Sequence, residues 1–459
     1  MEHHGRTAYF VVGEGVMGAD GAPAEGTARA MEVDLRAFRF ERVGPKAQRV
    51  IPQPLRRKVA LAMTKDAGKK DSTIPAGYTY LGQFVDHDLT FDKSRLVGDH
   101  AVSVATLVQG RSPSLDLDSL YGLGPVDTPD FYNSDKRRLK VGATAPSFPA
   151  AGIAAKAHAG FDLPRLPGRT ALIPDARNDE NLAVAQTHLA FIRFHNRVVA
   201  KLIADGVPTA QVFARALELV PLHYQWMLRT DFLPRIVRPG VVDAVFDTGR
   251  ILVEPTASAA DPPAMPVEFS VAAFRMGHSM VRTAYDWNHV FDDGAGTLGF
   301  LFIFSGTSGD LDGGNRLPSN WIADFRRLYD FTEAGRNDLR PIVGGKNKLN
   351  FARRIDTLLA NPLASLPDGS IGGPDPTAIR HNLAFRNLTR ARMLQLASGQ
   401  QMAALLRARG ATFTPITRAK ILAGSGGASL ASLNAPPRDL FAAHTRLWFY
   451  ILREAEHAG

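Results

Sequence analysis

The feature that most constrains the fold is a long segment with apolar residues at helical spacing. From Leu182 to Val199 the apolar side chains recur every three or four residues, which predicts a long buried helix. Segments that alternate apolar and polar residues are scarce, and βαβ units are absent. Further segments with helical spacing are Ala214–Leu233, Phe269–Val281, Trp321–Tyr329, Phe351–Leu359, Ala384–Leu394, Gln400–Arg407 and Leu440–Ala455. We therefore predict a mostly α-helical fold with few short strands.

The composition is that of a globular protein with a large core. No repeat or linker divides the 459 residues, so we predict one large domain over residues 71–459 and an irregular N-terminal arm, residues 1–70, packing on it. The absence of cysteine excludes disulfides and thiolate ligands, so any metal must be bound by His, Asp, Glu or other oxygen ligands.

The charge and the hydropathy pattern bear on partners. The formal net charge is +9, but the basic residues are spread along the chain, so nucleic acid is not a predicted partner. No stretch approaches the ~18 apolar residues of a membrane span. No apolar run follows Met1–Gly5, so no conventional secretion signal is predicted, and either a cytoplasmic location or another export route is compatible with the sequence.

The segment Tyr80–Asp88 combines an amide, an imidazole and two carboxylates. Gln83 and His87 are four residues apart, so on a helix they share one face, with Asp86 at its edge. Asp88 lies about 100° further round the same helix. Such a helix can direct a base and an amide into a pocket while Asp88, at its end, binds a different group. The alternative is a solvated helix end.

A second polar pattern occurs in the loop Ser112–Gly122. Ser112, Ser114, Asp116 and Asp118 recur at every second position, and alternate side chains of an extended chain face the same way. A row of hard oxygen donors suits calcium, which takes six to eight oxygen ligands. On spacing alone, a hydrated polar loop explains the pattern slightly better.

Three histidines lie in apolar helical segments, where most histidines are structural. His188 and His195 belong to the long helix and are predicted to be core residues. His278 lies in Phe269–Val281, but Gly277 removes bulk beside it, as a flat ligand approaching closely would require. At the start of the long helix, Asn178 or Asp179 is the expected N-cap.

These segments resemble the animal-type heme peroxidases of the peroxidase–cyclooxygenase superfamily. The resemblance covers roughly residues 75–400 and keeps the family's motif order. It rests on Gly82–Asp88, the loop from Asp116 to Tyr121-Gly122, Arg177 with Glu180, Phe274–His278, and Arg386–Arg390. It implies a single large helical domain that holds heme b between a distal and a proximal helix.

The resemblance assigns roles on the distal side of the heme. His87 matches the general base that takes a proton from hydrogen peroxide and returns it to the leaving oxygen. Arg177 matches an arginine that stabilises the developing charge. Gln83 matches a glutamine that binds pocket water or a halide.

On the proximal side, His278 matches the iron ligand and Asn387 the residue that accepts its other N–H. Arg275 and Arg390 match cations near the heme propionates. Two carboxylates, Asp86 and Glu180, match residues that form ester bonds to heme methyl groups in mammalian members.

The polar loop matches the calcium site of the family. The implied ligands are Asp88, Ser112, Ser114 through its backbone carbonyl, Asp116 and Asp118. The family usually has a serine where Asp118 stands, and the additional charge should favour a divalent cation.

The implied activity is reduction of hydrogen peroxide and oxidation of halide or pseudohalide ions or small aromatic donors through an oxyferryl intermediate. Asn181 stands where the leukocyte enzyme has a methionine that makes a third heme link, so efficient chloride oxidation is not expected.

Two alternatives are a fatty-acid dioxygenase on the same scaffold and a heme- and calcium-binding module with vestigial catalysis. Cyclooxygenases use a tyrosine three residues before the proximal histidine, where this chain has Arg275. Tyr285 is another candidate, but Thr283 and Asp286 predict that the helix ends before it could face the heme. The sequence predicts neither the physiological donor nor the oligomeric state.

Overall fold

Helices form the framework of the protein, and its strands are few and short, as predicted. The computed structural model describes residues 8–11, 15–18, 38–65, 70–94, 100–146, 160–238, 240–253, 263–341, 348–366, 379–431 and 433–458; for the first two ranges it describes the backbone. In these ranges no helix is both long and apolar enough to span a membrane.

The α-helices are α1 (Gln53–Met63), α2 (Gly77–Leu89), α3 (Asp118–Tyr121), α4 (Gly124–Asp127), α5 (Leu182–Ala204), α6 (Val212–Met227), α7 (Leu233–Ile236), α8 (Val241–Thr248), α9 (Leu298–Ile303), α10 (Leu383–Met393), α11 (Gly399–Ala408), α12 (Arg418–Ala423), α13 (Ala435–Ala443) and α14 (Leu447–Ala458). The strands are β1 (Ala8–Val11), β2 (Gly15–Gly18), β3 (Arg39–Glu41), β4 (Asp71–Pro75), β5 (Gly142–Ala143), β6 (Phe161–Asp162), β7 (Ala264–Pro266), β8 (Ala284–Tyr285), β9 (Gly296–Thr297) and β10 (Phe351–Arg353). They form two-stranded ribbons: β1–β2, β4–β10, β5–β6 and β8–β9 are antiparallel, and β3–β7 is parallel.

The long helix α5 confirms the apolar pattern that predicted it. Its buried face includes Val184, Ile192, Val199 and Leu202, at spacings that keep them on one side of a helix. Asn181 is its N-cap, because the side-chain oxygen accepts the N–H of Val184 at 2.9 Å. The predicted caps Asn178 and Asp179 were wrong: they lie in the preceding 3₁₀ turn, Ala176–Asp179.

The described part of the predicted N-terminal arm is more regular than expected. Residues 53–63 form α1, which buries Leu55, Val59 and Met63 and packs on α10. Strand β3 pairs with β7, far along the chain. The predicted arm covers residues 1–70. Much of it, residues 1–7, 12–14 and 19–37, lies outside the described ranges, so its packing on the body stays a prediction.

Helix α2 positions the motif Tyr80–Asp88 against the body. The residues before it, Thr73–Pro75, belong to strand β4. The first helical residue, Gly77, has no room for a side chain, because a Cβ there would lie 2.3 Å from the Tyr329 ring. The N-terminus of α2 therefore packs closely against Tyr329.

Several predicted helices have a different structure. Phe269–Ala273 is a π-helical turn continued by a 3₁₀ helix that ends at Met280. Trp321–Tyr329 contains short 3₁₀ turns, and Phe351–Arg353 is strand β10, whose pairing with β4 satisfies its backbone. Leu440–Ala455 is interrupted between α13 and α14, where the hydroxyl of Thr445 bonds to the carbonyl of Phe441.

Candidate active site

Two histidines from different parts of the chain line one cavity. The cavity encloses about 840 Å³ of empty space, part of it open to solvent, which is within the usual range of ligand pockets. His87 contributes from α2, and His278 from the 3₁₀ segment Phe274–Met280. Much of the remaining lining is apolar: Phe232, Val281, Leu298, Phe302, Leu363, Leu366 and Leu383.

His87 is held by the turn that precedes α5. Its Nδ1 lies 2.9 Å from Oδ1 of Asn178, and its Nε2 lies 3.5 Å from Oε1 of Glu180. His87 and its two neighbours are all buried. No functional role was predicted for Asn178, although its place directly after Arg177 of the motif could have indicated one.

Gln83 joins His87 on the same side of α2, as its spacing predicted. Its amide nitrogen donates to Oε1 of Glu180, and its amide oxygen accepts from Nδ2 of Asn181 at 2.9 Å. The second carboxylate oxygen of Glu180, Oε2, is buried without a hydrogen-bond partner among the described residues. Asn181 therefore orients Gln83 as well as capping α5.

Arg177 lies beside this group but does not line the same cavity. Its Nη2 donates to the carbonyl oxygen of His87 at 2.8 Å, and its Nε and Nη2 donate to Asp175. It lines a smaller adjoining cavity of about 500 Å³, together with Arg275, Asn387 and Arg390. Arg275 lines both cavities and thus marks their common edge.

Asp175 connects two buried arginines. Besides Arg177, it accepts from Nη2 of Arg111 at 2.7 Å. Burial opposes its ionisation, but Arg177 and Arg111 together hold the pKa of Asp175 well below its usual range. The carboxylate is therefore charged and fixes Arg177 against α2.

His278 has its predicted partner. The amide Nδ2 of Asn387 lies 2.9 Å from Nδ1 of His278. Part of the ring faces the cavity, but the ring lies deep in the protein; burial, and then the charges of Arg275 and Arg386, hold the pKa of His278 well below its usual value. A side chain at Gly277 would meet no atom within 4 Å, so this residue borders open space.

The two predicted propionate cations are paired with carboxylates of the protein. Nη1 of Arg275 lies 3.5 Å from Oδ2 of Asp86, and Arg390 forms an ion pair with Asp92. The ion pair of Arg275 crosses the edge of the main cavity, from the His278 segment to α2.

The predicted calcium ligands converge in part. Carboxylate oxygens of Asp88, Asp116 and Asp118 all lie within 4.8 Å of one another. Ser112 is buried and its N–H donates to Asp118 at 3.0 Å, whereas Ser114 is exposed at the turn of the loop. Among the described residues, Oδ2 of Asp88 and Oδ1 of Asp118 are buried without hydrogen-bond partners.

The acids of this cluster repel one another, and Arg111 lies 3.7 Å from Oδ1 of Asp118. Burial, and then the charge of Asp118, raise the pKa of Asp88 to about 8, and burial raises the pKa of Asp118 to about 6.

In the loop that carries these acids, Leu115 and Leu117 both have positive φ, at 54° and 62°, a conformation that is costly for leucine. Strain of this kind persists where the surroundings impose it, often at functional sites.

The two histidines of α5 differ from each other. His195 is a satisfied core residue, with Nδ1 3.0 Å from the Tyr121 hydroxyl and Nε2 2.8 Å from the Arg137 carbonyl oxygen. His188 is also buried, but neither ring nitrogen has a hydrogen-bond partner among the described residues. Burial lowers the pKa of His188 to about 3, so its ring is neutral.

Parts of the chain are similar in sequence to known proteins. A family profile described as animal haem peroxidase matches residues 103–295. A peroxidase-like protein from Margaritifera margaritifera is 32% identical over 114 residues, which are 24% of this chain and 14% of that protein. The chain thus matches about one seventh of the length of this curated relative.

Solved structures share the fold. Peroxidase A from Dictyostelium discoideum superposes with a TM-score of 0.55 at 15% identity, covering 91% of this chain and 80% of that chain. A fatty acid alpha-dioxygenase from Oryza sativa gives 0.54 at 12% identity, covering 89% and 70%. The enzyme of this name from Arabidopsis thaliana gives 0.54 at 13% identity, covering 91% and 68%.

Proposed function

Because the chain belongs to the animal haem peroxidase family of the peroxidase–cyclooxygenase superfamily, we propose that it is a heme peroxidase acting on hydrogen peroxide. The donors are halide or pseudohalide ions or small aromatic molecules. One observation carries the proposal: His87 and His278, which the motifs pair across a heme, line the same cavity. The test is steady-state turnover with peroxide and iodide.

The residues around the cavity fit heme b. The lining is largely apolar, the space beside Gly277 is open, and Oε2 of Glu180 faces no hydrogen-bond partner among the described residues. His278 would hold the iron as a neutral imidazole, which its lowered pKa favours. Rotating the Asn387 amide exchanges its nitrogen and oxygen, so the oxygen can accept Nδ1–H. When bound, heme supplies the redox chemistry with peroxide.

His87 is the proposed general base. Its Nε2 lies on the side of Glu180, which also lines the cavity, so this atom can take a proton from one peroxide oxygen and deliver it to the other, which leaves as water when the O–O bond breaks. Gln83 and Glu180 border the same space and orient small polar molecules there. Arg177 holds the His87 carbonyl and contributes a fixed positive charge behind α2.

Calcium is the proposed ion at Asp88, Asp116 and Asp118, completed by oxygens of Ser112 and the carbonyl of Ser114. Two buried carboxylate oxygens without hydrogen-bond partners among the described residues, Oδ2 of Asp88 and Oδ1 of Asp118, support the proposal, because a divalent cation would bind them. Asp88 adjoins His87, so the ion would also hold the catalytic end of α2 in place.

The donor preference follows from Asn181. Its amide bonds to Gln83 and caps α5. Because asparagine has no thioether, Asn181 cannot form a third heme link. We propose that iodide, bromide, thiocyanate and small aromatic donors are oxidised and that chloride is oxidised poorly. Comparing turnover with each ion at equal peroxide tests this order.

Fatty-acid oxygenation is a second candidate, favoured by one tyrosine pair. Tyr80 lines the cavity and donates a hydrogen bond of 2.8 Å to the hydroxyl of Tyr285. Tyr285 itself lies in strand β8, beyond the end of the helical segment at Met280, as Thr283 and Asp286 predicted. Oxygen uptake with linoleate, giving a stereospecific product that Tyr285→Phe abolishes, would favour this candidate over the peroxidase.

A heme- and calcium-binding module without catalysis is distinguished by the same turnover measurement. If the heme-loaded protein consumes neither peroxide with iodide nor oxygen with linoleate, the enzyme proposals fail and the module remains.

A further inference from the structure

We propose that Asn178 is a positioning residue that keeps the proton of His87 on Nδ1, so that Nε2 presents its lone pair to the cavity. The inference rests on the proposed function, because it concerns the base of that reaction. Its central observation is the 2.9 Å contact between Oδ1 of Asn178 and Nδ1 of His87. Both side chains are buried, at 0% and 1% exposure, so no solvent competes for this contact.

The chemistry of the contact determines the tautomer. With Oδ1 of Asn178 facing His87, as the structure has it, Nδ1 is the donor, because an amide oxygen can only accept a hydrogen bond and a neutral imidazole carries one proton. Nε2 is then an acceptor. Its nearest acidic neighbour, Oε1 of Glu180, lies 3.5 Å away, which is long for a hydrogen bond, and already accepts from Gln83. Among the described residues Nε2 therefore has a carboxylate neighbour at 3.5 Å but no hydrogen-bond partner, whereas Nδ1 has one at 2.9 Å.

Asn178 is placed by residues on both sides of it. Its backbone N–H donates to the Asp175 carbonyl at 3.0 Å, within the 3₁₀ turn. The following residue, Asp179, forms a 2.6 Å ion pair with Arg165 and accepts the N–H of Gly306 at 3.0 Å. The preceding Arg177 is bound to Asp175. The turn is thus fixed at three points, and the Asn178 amide is held against His87.

The hydrogen bond to Asn178 matters because it decides which ring nitrogen of His87 is free to accept a proton. With the proton on Nε2, His87 could not accept a proton from a peroxide in the cavity without first losing its own. Partners of metal-bound histidines that fix a tautomer are worth about 10- to 100-fold in affinity or activity. We expect a loss of the same order in the peroxide step when Asn178 cannot accept.

The direct measurement is neutron diffraction of the deuterated, heme-loaded protein at pH 8, above the usual pKa of histidine. The proposal predicts deuterium on Nδ1 of His87, none on Nε2, and the Asn178 oxygen facing Nδ1. Deuterium on Nε2, or the Asn178 nitrogen facing Nδ1, would overturn it. This result does not depend on turnover, so it stands apart from failure of the peroxidase proposal.

Variants test the consequence. Asn178→Leu removes the acceptor at similar volume and should slow the peroxide step about 10- to 100-fold, while the donor step and the heme content stay unchanged in stopped-flow measurements. Asn178→Asp keeps an acceptor and should retain most of the rate. Asn196→Leu is the matched control, because the side-chain hydrogen bonds of Asn196 within the described part of the chain go to Leu139, and neither residue lines the cavity. Equal peroxide rates in Asn178→Leu and this control would contradict the proposal.

Discussion

The guanidinium of Arg275 lies 3.5 Å from the carboxylate of Asp86, and this ion pair joins the two sides of the cavity. Arg275 is three residues before His278, and Asp86 is directly before His87. The family resemblance implies an ester between Asp86 and a heme methyl group and a contact between Arg275 and a propionate, and we propose both for this chain. Both proposed contacts thus lie at one edge of the cavity, where heme binding would rearrange an existing ion pair.

The first prediction concerns covalent attachment at this edge. After treatment with peroxide, acid-acetone should fail to extract the heme, and mass spectrometry should find it on peptides containing Asp86 and Glu180. Asp86→Asn and Glu180→Gln should each remove one link, because an amide cannot form the ester. Complete extraction of unmodified heme from active, peroxide-treated protein would show that the esters are absent.

The second prediction concerns calcium and protons. Since burial and neighbouring acids raise the pKa of Asp88 to about 8 and burial raises that of Asp118 to about 6, the ion-free site retains protons near neutral pH. Calcium must displace them, so its affinity should increase from pH 6 to pH 8. Titration calorimetry in buffers of different ionisation enthalpy measures the protons released.

Asp116→Ala should weaken calcium binding and lower the thermal midpoint together with the peroxide rate, whereas Asp127→Ala, an exposed acid on α4, should change neither. Protein purified with calcium present that contains none on metal analysis would refute the site.

The third prediction concerns acid stability. The pKa of His188 is about 3 in the folded protein, against about 6.5 in an unfolded chain, so the unfolded state binds more protons as pH falls. Stability contributed by neutral His188 is complete above pH 6.5 and is lost towards pH 3. His188→Leu should remove about 2–3 kcal/mol of the loss between pH 7 and pH 4.5, at about 1.4 kcal/mol per pKa unit.

Guanidinium unfolding at the two pH values measures this difference. His223→Gln, on the surface of α6, is the control and should keep the original pH dependence. An identical acid dependence in His188→Leu would exclude a neutral buried imidazole at this position.

The fourth prediction concerns Asp175, which binds two buried arginines. Asp175→Asn removes the carboxylate partner of Arg177 and leaves Arg111 with the longer 3.7 Å pair to Asp118, and breaking a buried ion pair costs about 3–5 kcal/mol. The free energy of unfolding should fall by this order. Asp338→Asn disrupts only the exposed pair with Arg336 and should have no measurable effect. A result for Asp175→Asn that equals this control would show that the network does not hold the site.

The sequence predicted those parts of the site that depend on regular spacing along a helix or an extended loop. Gln83 and His87 share a helix face because they are four residues apart, and they do line one cavity. The alternating acids of the loop do approach Asp88. The pairing of His87 with His278 came from the order of motifs, because no local pattern links residues so far apart.

The remaining features depended on contacts that spacing does not encode. Asn178 bonds to His87 across 91 positions of sequence, and Arg111 reaches Asp175 across 64. The segment Phe351–Leu359 was predicted to be helical, but Phe351–Arg353 forms strand β10, because it pairs with β4. These contacts form only in the tertiary structure, which overrides the secondary-structure preference of a short segment.

The absorption spectrum of the heme-loaded protein, before and after one equivalent of peroxide, tests the central claim most directly. We predict a five-coordinate histidine–heme spectrum that peroxide changes at once and a donor restores. His278→Ala should lose this spectrum, and His188→Ala and His195→Ala should keep it. An unchanged heme spectrum in His278→Ala, or no response of the unmodified protein to peroxide, would contradict the account.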